Sequence, residues 1–262
     1  MKLHDYDMII INSSAGKDSL VSIYEVCRLA DLQGYPRDKI VVSHQDLKSM
    51  EWPGTKELAE KQARLFNLDF HVSAYRNAQG EYKDLLDYVE RRGKWPSSKQ
   101  RYCTSDFKRS PGSRVVTRLT KDLGECKVLY VFGFRKEESP ARSKKQEFTL
   151  NKRLTTKKRQ VFDWLPVHEW TAGQVWDVIK LNNLPYHYAY DLGMPRLSCC
   201  FCIFSPLEAL IVAGRANPEL LDRYIEVEKK INHTFKDKFS IAEVRAAIES
   251  GQEIKSINDW RM

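Results

Sequence analysis

The 262-residue chain predicts an α/β fold, a parallel sheet with helices on both faces. Three observations carry that expectation. Apolar, β-favouring runs at 8–11, 40–44, 69–73 and 128–132 alternate with stretches of helical period. The segments between those runs are long enough for the helical crossovers that parallel strands require. The first run also breaks abruptly at Asn12-Ser13-Ser14-Ala15-Gly16-Lys17-Asp18-Ser19, and an amphipathic stretch, 20–26, follows at once. That is strand, tight small-residue loop, helix.

Each further element follows in order. A helix is expected over 55–66, and 76–100 reads as a mobile helical insertion. A helix carrying Val115, Val116 and Leu119 precedes the run at 128–132, which ends at Gly133-Phe134-Arg135. Residues 141–160 are the most basic stretch and read as a flexible loop or lid. A last core segment spans 161–167, and His168-Glu169-Trp170-Thr171 opens a helix over 172–181. Residues 1–205 read as one domain and 206–262 as a helical appendage without an obvious catalytic cluster. No internal repeat is visible.

Composition bounds the function. With 42% hydrophobic and 11% aromatic residues the chain can bury a sizeable core, which excludes global disorder. The 43 Lys+Arg against 35 Asp+Glu leave a formal charge of +8, suited to a nucleotide or nucleic acid and equally found on surfaces that bind neither. No apolar run approaches bilayer length, and MKLHDYD enters the first strand without an apolar signal region. The expected location is cytoplasmic, with no membrane partner. Six cysteines in such a chain argue for metal binding or catalysis rather than disulfides.

The loop at 13–19 suits a phosphate. Small side chains let an anion approach the backbone, and N–H groups at the helix start point at it with the helix dipole behind them. Lys17 adds a full charge, while Ser13, Ser14 and Ser19 offer hydroxyls. The common P-loop is excluded, because only one glycine is present and Lys17 is followed by Asp18. A Ser-rich turn that merely caps a helix is the plainer alternative. Gly133, Arg135 and Arg142 repeat the strand-end logic, either as a phosphate contact through a bidentate arginine or as a charged, solvated turn.

Cys199, Cys200 and Cys202, with Cys103 far upstream, form the second chemical centre. Thiolates select zinc or iron–sulfur clusters, so four of them suit a Cys₄ zinc or a [4Fe–4S] cluster, and spacing does not choose between these. Adjacent Cys199 and Cys200 can serve one centre only through a sharp local turn. Buried, unligated thiols are the alternative. Cys27 and Cys126 read as structural.

The loop at 13–19 resembles the S-G-G-K-D-S signature of the PP-loop ATP pyrophosphatases, with Ala15 replacing the first glycine. The segment Cys103-x₄-Lys108-x₂-Pro111, the run Gly133-x-Arg135-x₂-Glu138-Ser139-x₂-Arg142, Leu165-Pro166-x₃-Trp170-Thr171 and the Cys199-x-x-Cys202 pair resemble the PAPS reductase-like, or sulfonucleotide reductase, branch of that superfamily. The resemblance covers roughly residues 8 to 205. It implies an adenine nucleotide alpha hydrolase-like fold. Two departures stand out: the reductases attack with a cysteine near the C-terminus, whereas no cysteine follows Cys202 here, and they lack the lysine present as Lys17. The reductases also pair two cysteines where this chain has Cys103-Thr104, and Cys200 is a candidate for the missing ligand.

That combination is similar to the DNA phosphorothioation proteins of the Dnd C-type and the shorter Ssp D-type. The resemblance implies ATP, Mg²⁺ and a [4Fe–4S] cluster (alternatively Zn²⁺) as cofactors. It implies DNA, a cysteine desulfurase and other phosphorothioation proteins as partners. It places residues 13–19 with Gly133, Arg135 and Arg142 at the phosphates, Asp46 and Leu47 beside the adenosine, and Cys103, Cys199, Cys200 and Cys202 at the metal. Lys17, Asp18 and Arg135 are then the catalytic candidates. Rival expectations are a tRNA thiolase, an ATP sulfurylase-like protein of sulfate assimilation, and a nucleic-acid-binding module with structural zinc.

Overall fold

A computed structural model describes residues 1–81 and 84–257. Six strands, β1 (Met8–Ser13), β2 (Ile40–Asp46), β3 (Asp69–Ala74), β4 (Cys126–Val131), β5 (Phe148–Leu150) and β6 (Arg159–Trp164), form one sheet in the order β3-β2-β1-β4-β6-β5. All neighbours pair parallel except the β5 edge, which runs antiparallel to β6. The expected α/β architecture is what forms. The order reverses between β1 and β4, where chains of this kind open a crevice beyond the carboxyl ends of the strands.

Strand alternation decides which helix covers which face. Ile9 and Ile11 pack with Ile23 and Val26 of α1 (Lys17–Gln33) and Ala63 of α2 (Thr55–Leu65). Ile10 points the other way, among residues that include Val116, Val41 and Val128. α3 spans Leu85–Arg92, α4 is the single turn Tyr102–Thr104, and α5 (Ser110–Leu119) supplies Val116. Between α4 and α5 lies a π-helical turn, Ser105–Arg109. Pro111 near the start of α5 has no N–H to close an α-helical bond, and the widened turn before it accommodates that loss.

α6 is Pro140–Ser143, and α7 (Ala172–Leu181) packs Val175 and Ile179 on Leu20 and Val21 of α1. Three closing helices, α8 (Leu207–Ala216), α9 (Pro218–Ile231) and α10 (Ile241–Glu249), share a second core with α3, Trp52, Tyr102 and Phe107. Trp95 stacks on Tyr224 with ring centroids 5.3 Å apart and donates its indole N–H to the His233 carbonyl at 2.9 Å.

Two expectations change here. Much of the 76–100 stretch is packed rather than a mobile insertion: Asp84 caps α3, and Leu86 and Val89 are fully buried in the second core. Residues 141–160 are not a flexible lid but hold α6 and the edge strand β5, with Leu154 buried and Asn151 donating to Asp163 at 2.8 Å. No helix among the described residues is long and apolar enough to cross a membrane.

Gly133, just past β4, sets how closely that strand end approaches α1. A Cβ there would lie 2.7 Å from the Asp18 carbonyl carbon and oxygen and from the Ser19 nitrogen, all backbone atoms that cannot rotate aside. Gly133→Ala should therefore cost about 1–3 kcal/mol in denaturant unfolding. Gly173→Ala, in the first turn of α7 with nothing closer than 3.7 Å, should be neutral or slightly stabilising. Equal effects at the two positions would contradict the close approach.

Candidate nucleotide and thiol site

The loop between β1 and α1 is held by its own side chains. The Ser13 hydroxyl accepts the Ala15 N–H at 3.1 Å, and the Ser19 hydroxyl donates to the Gly16 carbonyl at 2.9 Å. Gln62 of α2 donates to the Ala15 carbonyl at 3.3 Å. Ser13 and Ser19 thus brace the loop, while Ser14 is its exposed hydroxyl. Ala15 has φ +57°, the left-handed region where glycine is at ease and a Cβ costs about 1–2 kcal/mol. That conformation explains why a glycine suits the position.

Lys17 is nearly buried. Its ammonium donates to the Pro195 carbonyl at 2.9 Å, lies 3.5 Å from Asp18 and sits 5.4 Å from the Tyr190 ring centre. Its backbone N–H, the first donor of α1, bonds the Tyr190 hydroxyl at 2.9 Å. The segment carrying Tyr190 and Pro195 therefore closes over the loop. No pattern in the sequence identified this contact.

Opposite the loop, Arg135 is 2% exposed. Its Nε donates to Asp18 at 2.5 Å, its Nη1 to Glu137, and its backbone N–H to Glu138 at 2.8 Å. The carboxylates, Asp18 first among them, raise Arg135 above the ordinary arginine range against the opposing effect of burial. In this arrangement Arg135 clamps Asp18, and a phosphate reaches it only by displacing a carboxylate. Arg142 pairs with Glu138 and lies 4.4 Å from the Phe134 ring centre. Glu138 also meets Arg196 at 3.5 Å. Gly133 faces the α1 backbone rather than open space.

Asp46 accepts the Lys48 N–H at 2.7 Å and lines an open cleft of about 780 Å³ between the end of β2 and the α8–α9 junction. Leu47 is 5% exposed and faces the second core, so its side chain is not presented to that cleft. His44, buried at the end of β2, joins the two halves of the site. Its Nδ1 lies 2.9 Å from the Ser13 carbonyl and its Nε2 3.1 Å from Glu51.

Beyond Glu51 lie the thiols. Lys108, an exposed residue, is raised above the ordinary lysine range by Cys199 first and also by Cys202 and Cys103, which lie within electrostatic reach of it. Burial pushes the Cys199 thiol up to about 12 although the residue keeps accessible surface. Cys103, Cys199 and Cys202 are each half-buried, and their common influence on Lys108 groups them in one recess. Lys108 belongs to the quoted Cys103-x₄-Lys108 spacing, but the sequence did not disclose that the lysine lies within reach of the thiols.

Cys200 is different. It is fully buried in the second core, its N–H donates to the Met50 carbonyl at 2.9 Å, and of the other cysteines only Cys199 influences its thiol. Three candidate ligands thus lie within electrostatic reach of one another without meeting at ligating distance, and the fourth is buried in the core; Cys27 and Cys126 are buried in the sheet cores. Among the described residues no three Cys, His, Asp or Glu side chains converge into a ready metal cage. Three soft thiols sharing a recess still suit a thiophilic metal or cluster, which would draw them together.

Two outcomes check this geometry. Ala15→Val should destabilise the protein by at least about 2 kcal/mol in denaturant unfolding. Ala15→Gly should stay within about 1 kcal/mol, as relief of strain offsets the lost methyl; equal tolerance of both would contradict the loop conformation. On reconstitution with iron and sulfide without oxygen, Cys199→Ala and Cys103→Ala should lose bound iron while Cys200→Ala retains it. Iron lost only with Cys200 would contradict the three-thiol recess.

Comparison with known proteins assigns the family. The sequence profile of the phosphoadenosine phosphosulfate reductase domain matches residues 8–204. An uncharacterized protein of Methanocaldococcus jannaschii is 26% identical over 221 residues, covering 84% of this chain and 47% of that protein. An adenosine 5′-phosphosulfate reductase of Oceanobacillus iheyensis is 32% identical over 99 residues, 37% of this chain and 39% of the reductase. The chain thus spans less than half the length of these relatives. Among solved structures, a phosphoadenylyl-sulfate reductase from Candida auris superposes with a TM-score of 0.48 at 19% identity, covering 73% of this chain and 80% of that one. On the profile match over most of its length, the chain belongs to the phosphoadenosine phosphosulfate reductase domain family.

Proposed function

We propose that the chain is an ATP pyrophosphatase that activates a DNA phosphodiester for replacement of a non-bridging oxygen by sulfur. One observation carries this reading: a buried lysine at the first turn of α1 stands beside a three-thiol recess. Pro195, which holds the Lys17 ammonium, and Cys199 lie on one short segment, and Leu197 between them packs beside Gly16. Phosphate chemistry and sulfur chemistry are thereby neighbours.

MgATP is the substrate. Its β- and γ-phosphates take the place of Tyr190 and Pro195 as partners of the α1 N-terminus and the Lys17 ammonium. The non-bridging oxygen of the acceptor attacks the α-phosphorus, the bond from that phosphorus to the β-bridging oxygen breaks, and pyrophosphate leaves. Lys17 neutralises charge that develops on the leaving group, an interaction stronger in the transition state than before it. Asp18, clamped by Arg135, holds the lysine in line. The persulfide sulfur of a cysteine desulfurase, released as sulfide when an external thiol attacks the persulfide and a disulfide forms, then attacks the activated acceptor phosphorus, and AMP departs with the oxygen. Cys103, Cys199 and Cys202 would hold a [4Fe–4S] cluster, which would supply a thiophilic Lewis acid for the sulfur. Other phosphorothioation proteins are the expected partners.

A base-modifying thiolase uses the same activation, so the acceptor is part of the proposal and is tested with it. Lys17→Ala should lower pyrophosphate release from MgATP in the presence of DNA by about 10²–10³-fold, the usual loss for a group that stabilises transition-state charge. Lys17→Arg should recover part of it. Full turnover by Lys17→Ala, followed by pyrophosphate assay, would remove the loop from the reaction.

A further inference from the structure

A second charged site lies outside the nucleotide loop and the thiol recess. One face of α5 and the loop between β5 and β6 enclose an open groove of about 680 Å³. Its walls carry Arg109, Arg114, Arg118, Lys121 and Arg153, and no carboxylate lines it. Hydroxyls of Ser110, Ser113 and Thr117 are interleaved with these cations.

The arrangement is not that of an ordinary solvated helix face. Arg114 and Arg118 stand four residues apart, about 6 Å along the axis, with Lys121 just beyond the helix's C-terminal end. Like charges at that spacing destabilise a helix, and exposed faces usually relieve them with interspersed acids. Here, among the described residues, none of the five cations forms an ion pair. Three are instead fixed by neutral acceptors. Arg114 donates to the Ala74 carbonyl at 2.7 Å, Arg153 to the Ser113 hydroxyl at 2.8 Å, and Arg118 bonds His71 Nδ1 at 3.3 Å. Burial and the neighbouring Arg118 hold His71 below its usual range, so it remains a neutral acceptor near pH 7. These contacts orient the guanidinium groups without pairing them to a carboxylate, although Arg153 acts at longer range on Asp163.

We propose that this groove binds the sugar–phosphate backbone of a nucleic-acid strand. Successive cations with hydroxyls between them match a polyanion of repeating charge, and phosphate contacts position a strand without reading its bases. The groove also adjoins the recess: Lys108 and Arg109 are consecutive in the π-helical turn, the first within electrostatic reach of the thiols and the second in the groove wall. A strand lying along α5 is therefore led toward the thiols. The proposal rests on the reading above only in taking nucleic acid, rather than another polyanion, as the occupant.

The test is fluorescence anisotropy with labelled single-stranded and duplex DNA oligonucleotides over a salt series. Wild-type protein should bind at least one of them, with affinity falling as salt rises. Arg118→Glu/Lys121→Glu should weaken that binding at least tenfold and lower the slope of log K against log salt by about 2. Lys61→Glu/Lys229→Glu changes net charge equally but lies away from the groove, and it should remain within about threefold of wild type. Thermal unfolding of both variants should match wild type. Equal loss in both variants, no loss in the groove variant, or no binding of either oligonucleotide overturns the proposal. Pyrophosphate release from MgATP in the presence of DNA separates the two readings. Release with DNA binding indifferent to the groove overturns this inference alone, whereas groove-dependent binding without release overturns the ATP pyrophosphatase reading and leaves the groove intact.

Discussion

The buried pair of Asp18 and Arg135 joins the ends of the two strands between which the sheet reverses its order. Everything at the site is placed relative to that junction. Asp18 opens α1 next to Lys17, and Arg135 follows the tight Gly133 contact that seats β4 against the same helical turn. A buried ion pair contributes little net stability, because desolvation offsets most of the attraction, yet removing one partner strands the other charge at a cost of about 3–5 kcal/mol. Its value is therefore positional. It fixes the lysine-bearing loop against the second strand end, and it leaves Arg135 bracing a carboxylate rather than presented to open space.

From that junction two chains of contacts lead outward. One passes through Lys17 to Pro195 and Tyr190, and thence along the chain to Cys199. The other passes from the Ser13 carbonyl through His44 to Glu51, a carboxylate that influences both Lys108 and Cys199. The thiol recess is thus tied to the phosphate loop from two sides. The second core of α3, α8, α9 and α10 forms its floor, with Cys200 and Phe201 buried in it and Tyr224 donating to the Phe201 carbonyl at 3.4 Å. A basic groove on α5 begins where the recess ends.

Local features were legible in the sequence because they rest on local physics. The apolar runs at 8–11 and 40–44, the small-residue break at 12–16 and the helix over 172–181 are short-range patterns, and all reappear in the structure. The glycine-like position of Ala15 came from the resemblance to the S-G-G-K-D-S signature, and its φ supplies the reason. Features that depend on distant partners were not legible. The basic stretch 141–160 looked unstructured by composition, but Phe148–Leu150 gains its order by pairing with β6. Residues 85–89 looked like an insertion until α8–α10 supplied the apolar surface they cover. Spacing made Cys200 equivalent to its neighbours, whereas packing turned its thiol into the core. Arg135 read as a phosphate contact or a charged turn, and its clamp on Asp18 was not visible because that partner is remote in sequence.

The central claim is that this loop directs cleavage between the α- and β-phosphates of ATP. The most direct measurement is ³¹P NMR of the products formed from MgATP by protein prepared without oxygen, in the presence of DNA. AMP and pyrophosphate are predicted. ADP and inorganic phosphate, or unchanged ATP, would contradict the account.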